Sequence, residues 1–130
     1  KKWPYFNDLI KIIKTKHSNI EIAIAPGPGE IEEAKKIEAI SITNKGKSLN
    51  HMELAGLIDK SSYVIANDTG PAHMTAHLGK MGLVLFGYHT TAKKVSIETD
   101  NFKAISAERL MHLKAEKVYS EIKEKLHSID

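Results

Sequence analysis

The sequence predicts an α/β fold in which a parallel sheet carries helices on both faces. Helical and strand-like segments alternate along the 130 residues, and brief glycine-containing loops join them. The strand-like segments are short and apolar, as buried parallel strands are. Aromatic residues make up only 6% of a chain that is 42% hydrophobic, which suits layers of aliphatic side chains. The length allows one domain with its own core, residues 1–130.

Periodicity marks the first helix and the first strand. Apolar side chains recur at helical spacing over residues 3–16, where Pro4 suits a first turn because its missing N–H costs nothing there. Residues 20–25 then alternate in the manner of a strand. The Pro-Gly-Pro-Gly segment 26–29 cannot continue regular structure, so a tight loop follows the strand.

Shorter elements follow this loop. A helix is expected from Glu30 to Ile37 and a strand from Ile40 to Thr43. Ser48 has the residue type of a helix N-cap and is expected to start a third helix. The apolar positions that would share one face of that helix are Leu49, Met52, Ala55 and Ile58.

The central and last segments complete the alternation. Tyr63–Ala66 is a compact apolar strand, and residues 67–71 end it and start a helix through Leu78. A buried strand is expected at Gly82–Phe86, and the apolar stripe over residues 115–126 predicts a closing helix. Open sheets of this kind bind ligands at the carboxyl ends of their strands, so a site is expected in the loops that follow the strands.

Composition argues against several function classes. Nineteen Lys and Arg against 16 Asp and Glu give a net charge of +3, but the basic residues are scattered, which argues against a nucleic-acid partner. The absence of cysteine excludes disulfides and thiolate chemistry. No apolar run reaches the length of a membrane span and no signal peptide is visible, so a cytoplasmic domain is expected. The chain begins at Lys1 without Met, and its natural start is expected upstream.

The segment Asn67-Asp68-Thr69-Gly70-Pro71-Ala72-His73 carries the strongest chemical signal. A glycine lets the backbone approach a ligand, and a proline presets the first helical turn. The unpaired N–H groups of that turn form an anion site reinforced by the helix dipole, where a phosphate would fit. The alternative is a purely structural turn in which Asp68 or Thr69 caps the helix.

Two competing motifs lack essential parts. Gly27-Pro28-Gly29 is followed by Glu32 where a dinucleotide fingerprint needs its third glycine. His73 and His77 stand four residues apart on one helix, but neither the glutamate of a zinc protease nor a third ligand accompanies them. No metal site is therefore expected.

The stretch from Asn67 to Gly79, followed by Leu83-Val84-Leu85-Phe86-Gly87, resembles the signature of glycosyltransferase family nine. That family contains the ADP-heptose:lipopolysaccharide heptosyltransferases. The resemblance extends to Lys1-Lys2-Trp3-Pro4, which is similar to the family's Lys-x-Trp-Pro segment, and through residues 29–34 and 48–58. It therefore covers most of the chain.

The resemblance implies the carboxyl-terminal, donor-binding lobe of a two-lobed GT-B enzyme with Rossmann-like lobes. The amino-terminal acceptor lobe and the first strand of this lobe would then lie upstream of Lys1. After Gly87 the family often has a proline, a hydroxyl residue and an acidic residue, whereas this chain has Tyr88-His89-Thr90-Thr91. This departure leaves the sugar and the acceptor open.

The resemblance also assigns roles to individual residues. The residues it matches to donor binding are Lys1, Glu30, Asp68, Thr69, Gly70 and His73. Lys1 would contact the donor diphosphate and Glu30 the nucleotide ribose. Asp68 would face the sugar hydroxyls, and with Lys1 it is a candidate catalytic residue that stabilises the departing group and the sugar. Gly70 would offer its backbone N–H, and His73 would donate to a phosphate oxygen.

The implied reaction is inverting, metal-independent transfer of a heptose or related sugar from a nucleotide diphosphate, ADP-heptose being the family's example. The acceptor would be the lipopolysaccharide core or another lipid-linked molecule, and no cofactor is expected. The general base would come from the amino-terminal lobe. The donor-binding lobe alone is therefore expected to be inactive. Two alternatives stay open, a nucleotide-sugar epimerase of similar architecture and a non-catalytic nucleotide-binding module. Peripheral contact with the inner membrane is also left open.

Overall fold

The computed structural model describes residues 3–87 and 97–130. The proposed diphosphate contact Lys1 lies outside the described residues. So do residues 88–91, which differ from the family's usual sequence after Gly87. The elements, in chain order, are α1 (Phe6–Lys16), β1 (Ala23–Ile24), α2 (Ile31–Ala34), β2 (Ile40–Ser41), α3 (His51–Lys60), β3 (Val64–Asn67), α4 (Gly70–His77), β4 (Gly82–Phe86), β5 (Phe102–Ser106), a 3-10 turn (Leu110–His112) and α5 (Ala115–Ile129). The predicted α/β class is confirmed.

The described strands pair only in parallel. β3, β4 and β5 form one sheet with β4 in the centre, and β1 pairs with β2 in a separate two-stranded sheet. In the larger sheet Val64 lies opposite Gly82, which lies opposite Phe102. The parallel prediction is confirmed, although the described strands form two sheets rather than one.

Alternate residues of β4 belong to two different cores. Leu83 and Leu85 belong to an apolar cluster that includes Leu9 of α1 and Ile122 of α5. Val84 and Phe86 point to the opposite face, where they join the cluster that contains Ala72 of α4. Helices therefore cover both faces of this sheet, as predicted, and every residue of β4 is buried.

Several predicted boundaries were too wide or too narrow. The first helix starts at Phe6 rather than at Trp3, because Pro4 and Tyr5 form a turn before it. α2 ends at Ala34 instead of Ile37, whereas α5 continues to Ile129. β1 and β2 are two residues long each, and each is paired on one side only.

The predicted N-cap of α3 was wrong. Asn50, and not Ser48, occupies that position: its side chain accepts the Glu53 N–H at 2.8 Å, and the Glu53 carboxylate accepts the Asn50 N–H at 2.9 Å. Only Asn50 is followed three residues later by a glutamate that completes this capping box. Met52, predicted on the buried face, is 86% exposed in the first turn, and Ile58 is the buried residue of the helix.

Asn50→Ala is expected to lower the free energy of unfolding by about 1 kcal/mol, because the Glu53 N–H at the start of α3 loses the Asn50 Oδ1 atom as its acceptor. Urea denaturation followed by circular dichroism measures this difference. Ser48→Ala serves as the control and should change the stability by less than about 0.5 kcal/mol. Equal losses for the two variants would contradict the assignment of the cap.

Candidate functional site

The turn between β3 and α4 lies at the carboxyl edge of the three-stranded sheet. Because the three strands are parallel, their carboxyl ends meet at one edge, with Asn67 opposite Leu85 and Phe86 opposite Ser106. The chain after β5 is tied to the same edge by the Ala107 N–H, which donates to the Phe86 carbonyl at 3.0 Å. The predicted turn therefore occupies the part of the fold where open α/β sheets bind ligands.

Most backbone donors of this turn are used within the turn itself. The Thr69 N–H donates to the Asn67 carbonyl at 2.8 Å, and the Ala72 N–H donates to the Thr69 carbonyl at 3.0 Å. Pro71 has no N–H to offer. Within residues 3–87 and 97–130, the Gly70 N–H meets no acceptor. The sequence predicted several unpaired N–H groups between Thr69 and Ala72. Of these, the structure leaves the Gly70 N–H without an acceptor among the described residues.

The surroundings of Gly70 leave its backbone accessible. Thr69 and Gly70 are both exposed, and a β carbon built on Gly70 would meet no atom within 4 Å. The Thr69 side chain does not cap α4, and its hydroxyl instead points to the Asn67 carbonyl at 3.4 Å. The purely structural alternative is therefore not realised through Thr69.

Asp68 and His73 bring an acidic and an imidazole group together beside the turn. The His73 Nε2 atom lies 4.0 Å from Asp68 Oδ1, too far for a direct hydrogen bond but close enough for attraction when the histidine is protonated. The Asp68 side chain is 10% exposed, whereas that of His73 is 58% exposed. The imidazole is thus the accessible partner of the pair.

Glu30 is distant in sequence from the turn between β3 and α4. It lies in the loop that follows β1, a strand of the two-stranded sheet. One of its carboxylate oxygens accepts the Gly27 N–H at 2.8 Å, and its own N–H donates to the Gly27 carbonyl at 3.0 Å. Gly29 has a φ of +79°, which favours glycine at this position. The loop is therefore closed on itself by Glu30, and this contact was not foreseen from the sequence.

The segment that begins at Trp3 is hydrogen-bonded to the residues that follow β5. Trp3 is 2% exposed and donates its indole N–H to the Leu113 carbonyl at 2.6 Å. The Tyr5 hydroxyl donates to the Met111 carbonyl at 2.7 Å. Lys114 donates to the same hydroxyl at 3.0 Å, and this hydrogen bond raises the pKa of Lys114. Trp3 received no role from the sequence, although it belongs to the Lys-x-Trp-Pro segment quoted above.

A surface depression on the described residues lies away from the turn between β3 and α4. It has a volume of about 470 Å³, and its lining residues are Lys14, Ile20, Glu21, Ile22, Ile37, Glu38, Ala39 and Ile40. None of the predicted donor-binding residues that the structure describes, Glu30, Asp68, Thr69, Gly70 and His73, borders it. Across residues 3–87 and 97–130, no three acidic, histidine or cysteine side chains cluster in a way that could hold a metal. No helix in these ranges is both long enough and apolar enough to cross a bilayer.

Solved heptosyltransferase structures share the fold of this chain. The structure of E. coli heptosyltransferase WaaC with ADP-2-deoxy-2-fluoro heptose matches with a TM-score of 0.76 and 22% identity, over 95% of this chain and 39% of that one. E. coli ADP-heptose lps heptosyltransferase II matches with a TM-score of 0.77 and 14% identity, over 98% and 43%. The chain thus has the α/β fold of one part of these GT-B structures.

Sequence comparisons identify the family. The lipopolysaccharide core heptosyltransferase OpsX of Haemophilus influenzae is 29% identical over 87 residues, which cover 65% of this chain and 25% of that protein. The chain therefore spans about a quarter of the length of this relative. The sequence model of glycosyltransferase family 9 (heptosyltransferase) matches residues 1–125. With nearly its whole length matched, the chain belongs to glycosyltransferase family 9.

Proposed function

We propose that this chain is the donor-binding lobe of an enzyme that transfers a heptose or related sugar from a nucleotide diphosphate to a lipopolysaccharide-core acceptor. The observation that carries the proposal is the exposed Gly70 N–H, unpaired among the described residues, at the start of α4 and at the carboxyl edge of a parallel sheet. Membership of the heptosyltransferase family supports the sugar class. The ADP-sugar analogue in the WaaC structure supports ADP-heptose as the donor.

The reaction would break the bond between the anomeric carbon and the diphosphate while the acceptor hydroxyl forms a new bond on the opposite face. Negative charge then builds on the departing diphosphate. The Gly70 N–H and the positive end of the α4 dipole would stabilise that charge, Lys1 would add positive charge, and His73 would donate a hydrogen bond to a phosphate oxygen. These groups can neutralise a diphosphate without a divalent ion, which is why we propose a metal-independent reaction.

The remaining roles follow from the same scheme. The Asp68 carboxylate would accept hydrogen bonds from sugar hydroxyls, and Glu30 would hold the ribose. The acceptor proton would pass to a carboxylate on a second, acceptor-binding lobe, since a GT-B enzyme places its substrates between two lobes. A cytoplasmic reaction with peripheral contact at the inner membrane belongs to the same proposal, because a lipid-linked acceptor is held at a membrane surface.

Gly70→Pro in the intact enzyme is expected to raise the dissociation constant for ADP about tenfold, because proline removes the Gly70 N–H, which meets no acceptor within residues 3–87 and 97–130. Proline is tolerated at the first position of a helix. Thr69, with φ −144° and ψ −176°, already has the extended backbone that a following proline requires. Isothermal titration calorimetry with ADP measures the change.

Gly70→Ala is the matched control for this experiment. It keeps the N–H, and open space surrounds the position of the added methyl group. ADP affinity close to that of the natural protein is expected for this variant. If the proline variant also binds ADP with unchanged affinity, the amide of Gly70 does not hold the diphosphate and the proposed site is wrong.

A further inference from the structure

The segment Gly27-Pro28-Gly29, which lacks the third glycine of a dinucleotide fingerprint, forms a tight turn after β1. The Glu30 N–H donates to the Gly27 carbonyl at 3.0 Å and so closes the turn over four residues. Pro28 stands second in the turn, where its fixed φ is favourable, and Gly29 stands third with a φ of +79°. These are the features of a type II turn, so the residue types of the segment themselves favour its backbone shape.

A side-chain hydrogen bond closes the same turn a second time. The Gly27 N–H donates to the Glu30 Oε1 atom at 2.8 Å, and a hydrogen bond to an ionised acceptor is stronger than one between neutral groups. Glu30 is also the N-cap residue of α2, but its side chain makes no capping hydrogen bond there. The carboxylate is therefore held against the turn and not over the start of the helix.

The close approach of this carboxylate accounts for the glycine at position 27. Gly27 is not among the glycines with a positive φ, so its backbone conformation does not itself require glycine. A β carbon built on Gly27 would lie 2.8 Å from Glu30 Oε1 and 3.6 Å from Glu30 Cδ. The first separation is shorter than a nonbonded β carbon adopts, so the absence of a side chain at position 27 leaves the space that the carboxylate occupies.

The Glu30 carboxylate lies where a ligand with two neighbouring hydroxyls can reach it. Glu30 is partly exposed and follows the carboxyl end of β1, the end at which parallel strands present their ligand sites. An ionised carboxylate can accept about four hydrogen bonds, so acceptance from the Gly27 N–H is compatible with acceptance from two hydroxyls. A side chain that is already held in place also loses less conformational entropy when the ligand binds.

We propose that Gly27 is a positioning residue, which holds the Glu30 carboxylate for the two ribose hydroxyls and so makes the lobe selective for nucleotides that carry both. Its backbone N–H orients the carboxylate, and its missing side chain leaves room for it. This inference rests on the proposed function, in which Glu30 holds the ribose of the donor. It gives a role to a glycine that the sequence had assigned to no site.

Gly27→Ala in the intact enzyme tests the proposal, with ADP and 2′,3′-dideoxy-ADP as the ligands in isothermal titration calorimetry. The natural protein should bind ADP at least about tenfold more tightly than the dideoxy compound. The added methyl group displaces the carboxylate, so the dissociation constant for ADP should rise about fivefold. That for 2′,3′-dideoxy-ADP should stay within about twofold, because this ligand has no hydroxyls for Glu30 to accept from.

Three controls separate positioning from a general structural effect. The atom that the methyl group meets is the end of a flexible side chain, so the Tm of Gly27→Ala should change by less than about 3 °C. Gly56→Ala, in open space on α3, should leave both dissociation constants unchanged. In a Glu30→Ala background, Gly27→Ala should change the dissociation constant for ADP by less than about twofold, since the carboxylate that it displaces is already gone.

Full discrimination between the two ligands by Gly27→Ala would overturn the inference and leave the proposed function standing. Tighter binding of ADP by this variant would also overturn it, because the contact with Gly27 would then hold the carboxylate away from the ribose. An additional loss of affinity in the Glu30→Ala background would show that Gly27 acts by another route. If the natural protein binds both ligands equally, the ribose contact of Glu30 fails together with the inference, whereas the diphosphate site is decided separately by Gly70→Pro.

Discussion

Gly82→Val is expected to lower the free energy of unfolding by about 3 kcal/mol, which is a large part of the stability of a small domain. A β carbon on Gly82 would collide with the Val64 carbonyl oxygen and would lie 3.0 Å from ring carbons of Phe102. Both neighbours are fixed, because β4 is hydrogen-bonded on one side to β3 and on the other to β5. Relief of the collision would require breaking one of these ladders.

Urea denaturation followed by circular dichroism measures the Gly82→Val effect. Gly56→Ala is the matched control, because Gly56 is exposed within α3 and an added methyl group would meet nothing within 4 Å. The control should raise the free energy of unfolding by about 0.5–1 kcal/mol, since alanine is the better helix former. A Gly82→Val protein as stable as the natural one would show that β3 or β5 can move away from β4 at little cost in free energy.

Asp68→Asn in the intact enzyme is expected to lower kcat/KM for the sugar donor about a hundredfold. The substitution keeps the shape of the side chain but removes the charge that faces the His73 imidazole at 4.0 Å. It also replaces a carboxylate acceptor for sugar hydroxyls with a weaker amide. Steady-state kinetics with ADP-heptose measure the loss.

The His77→Gln variant is the control for Asp68→Asn, since His77 is exposed in the last turn of the same helix. Its kcat/KM should stay within about twofold of the natural value. Thermal unfolding of the Asp68→Asn variant separates two explanations for a loss of activity. A large drop in Tm accompanying the loss would indicate that Asp68 only maintains the turn, which would contradict its proposed contact with the sugar.

Strands were predictable from the sequence where burial is complete on both faces. Gly82–Phe86 was predicted with its exact bounds, because an uninterrupted apolar run is the pattern of a central parallel strand. β5 was missed. Only Phe102 and Ile105 of its five residues are buried, Lys103 interrupts the apolar run, and its outer backbone donors are satisfied by Thr99 and Glu98. None of these tertiary contacts leaves a distinct local pattern.

The position of the candidate site was also predictable, whereas its hydrogen bonding was not. A glycine and a proline after an apolar strand mark a strand-to-helix turn at a sheet edge. The use of the Ala72 N–H within the turn depends on the local backbone angles, which residue types do not determine. The misplaced cap of α3 has a similar origin, since Ser48 and Asn50 are both good caps and Glu53 decides between them.

The indole hydrogen bond of Trp3 has a consequence for biosynthesis. It joins two residues that are 110 positions apart in the sequence, and the His17–Tyr119 and Asn19–Asp130 hydrogen bonds have similar sequence separations. During translation, Trp3 emerges from the ribosome well before Leu113 has been added to the chain. The apolar face of α1 therefore stays uncovered until the last helix has been translated, and such long-range closure slows folding. During that interval α1 is the surface on which a chaperone would be expected to act.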